Sequence, residues 1–228
     1  MPAKNIIKEY VDGGVYHVYN RGSNKQDIFL DERDYATFLL YLKLYLDNPE
    51  ILKDLDVDPQ KRKAVDRQNF YGKINLLCYC LMPNHFHLLI KQLSEKDLTE
   101  LIRCIATNYS MYFNKRYDRR GPLYEGNYKA VLVKTDNYLL HLSRYIHSNP
   151  FAKGWTLGKL SNYSYSSYPN YLGKKNTNWL NTDFILNYFE ENRNQEITLS
   201  KFSSYKEFIE DRDTSVDSRE ILGDLIIE

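Results

Sequence analysis

Apolar residues recur along the chain with two periods, and the switch between them marks the elements. Val15–Asn20 (VYHVYN) is a short β-prone run ended by Arg21-Gly22. Asp31 then reads as an N-cap, and Tyr35, Phe38, Leu39, Leu42 and Tyr45 follow at helical spacing. Residues 47–72 are polar, charged and carry two prolines, which predicts a long loop or a small helical insertion. Ile74–Met82 (INLLCYCLM) and His85–Lys91 (HFHLLIK) flank the turn signal Pro83-Asn84 and read as a β-hairpin. Ser94-x-x-Asp97 is a capping-box pattern ahead of Leu98, Leu101, Ile102, Ile105, Tyr109, Tyr112 and Phe113, an amphipathic helix. Tyr128–Lys134 is a further strand. Asp136 is expected to cap a helix that runs to about Ser148 and stops at Asn149-Pro150.

The order is β-α-β-β-α-β followed by a helix. It predicts an α+β fold of the ferredoxin-like or RRM-like kind, an antiparallel sheet covered on one face. Beyond Leu157, turn-rich segments alternate with weak helical stretches around Phe184–Glu190 and Tyr205–Arg212.

With 228 residues, 43% of them hydrophobic, the chain can bury a core without staples. No apolar run reaches the roughly 18 residues of a membrane span, and the first fourteen residues lack the apolar stretch of a secretory signal. Cys78, Cys80 and Cys104 are too few for a disulfide framework, and one C-x-C is a poor zinc signal; a cytoplasmic location is expected. The net charge of +1 hides an asymmetry. Residues 188–228 hold 5 basic against 11 acidic side chains, which leaves +7 on the remaining 187. That balance points either to a polyanionic partner or to an ordinary solvated surface. The 21 tyrosines could stack on nucleobases or simply fill a core.

Two features carry chemistry. His85 and His87, two apart in a strand, project from the same face and offer a bidentate metal platform; surface decoration or a packed pair is the alternative. His141, Tyr145 and Asn149 are spaced by four on the last helix, while Leu139, Leu142 and Ile146 form its apolar stripe. Anchored by that stripe, the helix could bring a tyrosine hydroxyl and an amide oxygen to the two histidines, although Tyr145 is one tyrosine of many. His17, on the first strand, reads mainly as structural.

YHVYNRG (16–22), CLMPNHFHLLI (80–90), RRGPLYEGNYKAVLV (119–133), YLLHLSRYIHSNPFAKGW (138–155) and YSSYPNYLG (165–173) closely resemble the single-tyrosine HUH transposases, nearest to the REP-associated tyrosine transposases. The resemblance spans about residues 10–173. It implies a catalytic domain over 1–173 with an insertion at 47–72, and an acidic extension, 174–228, without a matching motif. It implies the HUH pair on a central strand, with His85, His87 and Asn149 as ligands of Mg²⁺ or Mn²⁺ and Tyr145 as the nucleophile. It also places Arg21, Arg119, Arg120 and Lys129 in blocks expected to contact DNA, and leaves His17, His141 and His147 as auxiliary candidates. Glu125 and Asn127 stand where relatives often carry Gln and Arg. The implied activity is metal-dependent cleavage and strand transfer of single-stranded, hairpin-bearing DNA through a 5′-phosphotyrosine, by a monomer or homodimer. The alternatives are a hairpin-binding module without cleavage and a relaxase-like or replication-initiator-like nickase.

Overall fold

The computed structural model describes residues 8–56, 62, 68–192 and 199–211. Four strands, β1 (Val15–Arg21), β2 (Ile74–Met82), β3 (His85–Gln92) and β4 (Lys129–Leu132), form one antiparallel sheet in the order β2-β3-β1-β4. This is the strand order that a split β-α-β arrangement requires, with the central pair β3 and β1 bonded along their whole length. Gly22 ends β1 because the chain folds back there on itself: a Cβ at that position would lie 2.1 Å from the Gln26 carbonyl oxygen.

Helices α1 (Glu32–Leu46) and α3 (Asp97–Arg116) lie against each other and against one face of the sheet, and the short α2 (Pro49–Leu52) begins the insertion. Asp31 caps α1 as expected, accepting from the amides of Arg33 and Asp34. Of the predicted capping box only the backward half forms: the Ser94 amide donates to the Asp97 carboxylate at 3.2 Å, the N-cap Lys96 makes no side-chain bond, and the Leu98 amide donates instead to Gln92 Oε1 at 3.1 Å. The rest of the 47–72 insertion lies partly outside the described residues.

The sheet is not covered on one face only. Its second face carries α4 (Asp136–Ser148), a 3₁₀ turn over Asn149–Lys153, a second over Leu157–Asn162, α5 (Tyr168–Tyr171), α6 (Asp183–Asn192) and α7 (Tyr205–Glu210). The reason lies in β2. A bulge between Leu76 and Cys78 shifts its alternation, so Leu76, Tyr79 and Leu81 serve the first core while Leu77, Cys78, Cys80 and Met82 serve the second. A strand apolar on both sides must be buried on both sides. The predicted stretch to Arg212 ends at Glu210 as helix, and Arg212 itself lies outside the described residues. Among the described residues no helix is long and apolar enough to cross a membrane.

Candidate active site

Helix α4 is placed by its apolar side: Leu139, Leu142 and Ile146 are buried in the second core. Its cap is Thr135, whose hydroxyl accepts from the Tyr138 amide, not Asp136 as expected; Asp136 sits in the first turn, where its charge still favours the helix N-terminus. Pro150 ends the α-helix, and Asn149 begins the 3₁₀ turn that follows.

This packing brings Tyr145 to the histidines of β3. The Tyr145 ring stands edge-on to His87 with centroids 5.4 Å apart, and to His17 at 6.2 Å. The strand period holds: His85 and His87 share a face, with ring centroids 4.9 Å apart. His17 joins them from β1, its Nε2 2.9 Å from His87 Nδ1. Tyr19, paired in register with both His87 and Lys129, completes the layer, with its ring 4.8 Å from His17.

Both ring nitrogens of His85 meet amide oxygens. Its Nδ1 lies 2.7 Å from Asn84 Oδ1 and its Nε2 lies 3.2 Å from Asn149 Oδ1. Both oxygens only accept, and both amides are turned that way by their nitrogens, which donate to the carbonyls of Lys25 and Tyr145. Burial pushes the His85 pKa down to about 4, against the contact with Asn149 and aided by the charges of Lys153 and Arg21, so the ring carries one proton. Placed on Nδ1 in the shorter contact, that proton leaves the Nε2 lone pair facing the lone pairs of Asn149. A cation between them would resolve the conflict. His87 tells the same story: burial, then the neighbouring His85 and His17, hold it well below the ordinary range, and its buried Nε2 has no hydrogen-bond partner. If His87 Nδ1 donates to His17, Nε2 presents a free lone pair in the way metal-binding imidazoles do. Two neutral imidazoles and an amide oxygen thus fit a divalent ion. Among the described residues no three of His, Cys, Asp and Glu gather as a metal site, so the donor set needs the amide.

Two auxiliary candidates fall elsewhere. A spacing of four advances about 400° round a helix, so the stripe drifts by about 40° per step. His141 accordingly leaves the site: it is buried against Phe208, 5.7 Å between ring centroids. His147, two residues from Tyr145, points to the opposite side and bonds Tyr205 and Ser167. It is not placed to take the Tyr145 proton.

Of the basic residues, Arg21 stands beside His85 in the register of β1 and β3, held by Glu125 through Nε at 2.9 Å and Nη2 at 2.8 Å. Lys129 lies on the edge strand, its ammonium 6.0 Å from the Tyr19 ring centroid. Arg119 follows α3, bonded to Asn114 and over the Phe113 ring, and Arg120 is exposed. Neither is seen in contact with the histidine cluster among the described residues. Sequence reasoning missed Asn84, Tyr19 and Lys153. The first sits in the recognised Pro-Asn turn and the second two residues from His17, so adjacency was their only signal.

Residues 51–149 match the sequence model of the family described as "Transposase IS200 like", a span that includes His85, His87, Tyr145 and Asn149. Comparison with curated proteins finds no match. Among solved structures, the chain resembles a REP-associated tyrosine transposase bound to a REP hairpin, at 15% identity and a TM-score of 0.52, over 77% of this chain and 90% of that one. It also matches a candidate transposase from Deinococcus radiodurans R1 at 12% identity and a TM-score of 0.35, over 65% and 97% of the two chains. The resemblance seen in the motifs is therefore met once by sequence and once by fold.

Proposed function

We propose that this chain, similar to the IS200-like transposases in sequence and to a REP-associated tyrosine transposase in fold, cleaves single-stranded DNA and transfers the cut strand, with Tyr145 as the nucleophile. The observation that carries the reading is one local cluster: His85 Nε2 3.2 Å from the Asn149 amide oxygen, the unpartnered Nε2 of the adjacent His87, and the Tyr145 ring packed edge-on to His87.

The Tyr145 oxygen attacks a backbone phosphorus. A Tyr–O–P bond forms, the bond from phosphorus to the 3′ oxygen breaks, and the phenol proton ends on that oxygen. The products are a 5′-phosphotyrosine and a free 3′-OH. One phosphodiester has replaced another, so a second 3′-OH can reverse the step without ATP. A divalent ion, Mg²⁺ or Mn²⁺, held by His85 Nε2, His87 Nε2 and Asn149 Oδ1 would neutralise charge growing on the phosphate oxygens. The residues around it have their own tasks. Asn84 and His17 hold the two imidazoles in the required tautomers. Arg21 and Lys129 flank the cluster with positive charge for the backbone of the strand. An unpaired strand is the substrate because a tyrosine on a packed helix reaches only a backbone that can be drawn into the site. The hairpin on the structural neighbour makes hairpin-bearing DNA the first substrate to try.

The test is a covalent-adduct assay with hairpin oligonucleotides from DNA flanking the gene, in Mg²⁺ or Mn²⁺. An SDS-resistant protein–DNA band is expected, lost with Tyr145→Phe and with EDTA. Tight hairpin binding without a band would make the protein a binding module. A band surviving Tyr145→Phe would move the nucleophile to another tyrosine, Tyr138 first.

A further inference from the structure

The acidic C-terminal extension carries no recognised motif, yet part of it ends against the helix that holds Tyr145. One buried hydrogen-bond chain runs between them. The Tyr79 amide of β2 donates to Ser167 Oγ at 2.8 Å. Ser167 Oγ lies 2.8 Å from His147 Nε2, and His147 Nδ1 lies 3.0 Å from the Tyr205 hydroxyl. Tyr205 donates to Ser143 Oγ at 2.9 Å, and Ser143 donates to the Leu140 carbonyl at 2.7 Å. Ser167 Oγ also lies 3.2 Å from the Tyr79 carbonyl, to which its hydroxyl can donate. With the His147 proton on Nδ1 and the Ser167 hydroxyl turned to His147 Nε2, each hydroxyl donates once and the chain runs one way, from a backbone donor in the sheet to a backbone acceptor in α4. Ser143, His147, Ser167 and Tyr205 are all buried, so a broken link is not replaced by bulk water.

The placement on the helix matters. Ser143 and His147 lie two residues before and two after Tyr145, each about 200° round from it. The chain therefore grips α4 from the side opposite Tyr145, at both ends of its turn. Around it, Arg144 bonds the Asp211 carbonyl and lies over Phe208, and Tyr205 stacks on Tyr171 at 4.9 Å. A hydroxyl about 9 Å from a helix axis moves by about 1.5 Å for each 10° of helix rotation. A displacement of that size at a nucleophile costs on the order of a hundredfold in rate.

We infer that Tyr205 is a positioning residue: through Ser143 and His147, the C-terminal segment sets the rotation of α4 and so aims Tyr145 at the histidine pair. This rests on the reading of Tyr145 as the nucleophile.

The experiment uses the full chain, with Tyr205→Phe, which keeps the ring and its stacking, and Ser143→Ala as a second break that spares it. Three quantities are read: the single-turnover rate of adduct formation on saturating hairpin oligonucleotide, the hairpin Kd, and the ¹⁹F resonance of 3-fluorotyrosine placed at 145, which senses the ring currents of His17 and His87. Both variants are expected to slow the adduct at least about tenfold, keep the Kd within about twofold, and shift or broaden the fluorine line. Wild-type rates and an unmoved line would overturn the proposal, and so would a slower rate with an unmoved line. If Tyr205→Phe does not fold, Ser143→Ala carries the test. If the wild type forms no adduct, the proposed function fails, and the fluorine line alone still decides the positioning.

Discussion

The two faces of the sheet each bury a polar centre, and they treat it in opposite ways. On the first face Asp34, fully buried, is closed from every side. It accepts from the Leu30 amide, from the hydroxyls of Tyr112 and Tyr117 and from Arg116, at 2.7 to 2.9 Å. Its charge joins α1 to α3. On the second face His87 is as deeply buried, but one ring nitrogen has no partner, and its neighbour His85 meets an acceptor oxygen at each ring nitrogen, Asn84 Oδ1 and Asn149 Oδ1. Buried polar atoms are normally satisfied because leaving one unmade costs about 1–3 kcal/mol. A face that closes its centre is spending it on stability. On the function proposed above, the unpartnered Nε2 of His87 beside the His85–Asn149 contact is where a divalent ion would bind.

Asp34→Ala breaks the closed side, and the largest stability effect is expected there. Two tyrosine hydroxyls and an amide lose their acceptor in the core, for a loss of about 3 kcal/mol. Urea unfolding should report it. The adduct rate below the unfolding transition should stay within about twofold, since nothing of the second face is touched. A variant as stable as the wild type would mean that the closure of Asp34 is not what joins α1 to α3.

Acid tests the other side. Burial holds His141 at about 4 and His147 at about 3, both below the ordinary 6.5. The unfolded chain therefore binds more protons than the folded one once the pH falls below 6.5. Their contribution is complete above that pH and is lost progressively down to the folded values, by about 2 kcal/mol for each histidine at pH 5. Urea midpoints at pH 7 and pH 5 measure this. His141→Leu should remove about half of the pH-dependent loss these two contribute, and an unchanged loss would place the acid sensitivity elsewhere.

What could be read from the sequence follows from locality. That His85 and His87 share a face needs only the period of a strand, and that Tyr145 and Asn149 lie one turn apart needs only the pitch of a helix. The strand order followed from the succession of elements. What pairing and packing decide across long separations could not be read. His17 meets His87 only because β1 lies beside β3 in one particular register. The second layer was missed although Ile74–Met82 is apolar almost throughout, as a strand buried on both faces is; its cover comes in large part from turn-rich segments beyond Leu157 whose own periodicity is weak. His141 looked like a companion of Tyr145 until the drift of the stripe and the cover of Phe208 took it out.

The smallest effect is expected at the rim of the open face, where Arg21 stands between the two treatments. It lies in register with His85, but Glu125 holds its guanidinium at 2.8–2.9 Å, as an anion would. With Glu125 half exposed, the pair adds little to stability, under about 1 kcal/mol. On the proposed function its consequence would fall on the substrate: a phosphate approaching His85 would have to displace a carboxylate that belongs to the protein. Glu125→Gln keeps the shape and removes the competitor. Single-stranded DNA should then bind a few-fold more tightly at low salt, and the plot of log K against log salt should steepen by about 0.7, one further phosphate contact. The Tm should hardly move. An unchanged salt slope would mean that Arg21 serves the fold at this rim, and the open face would then end at His85.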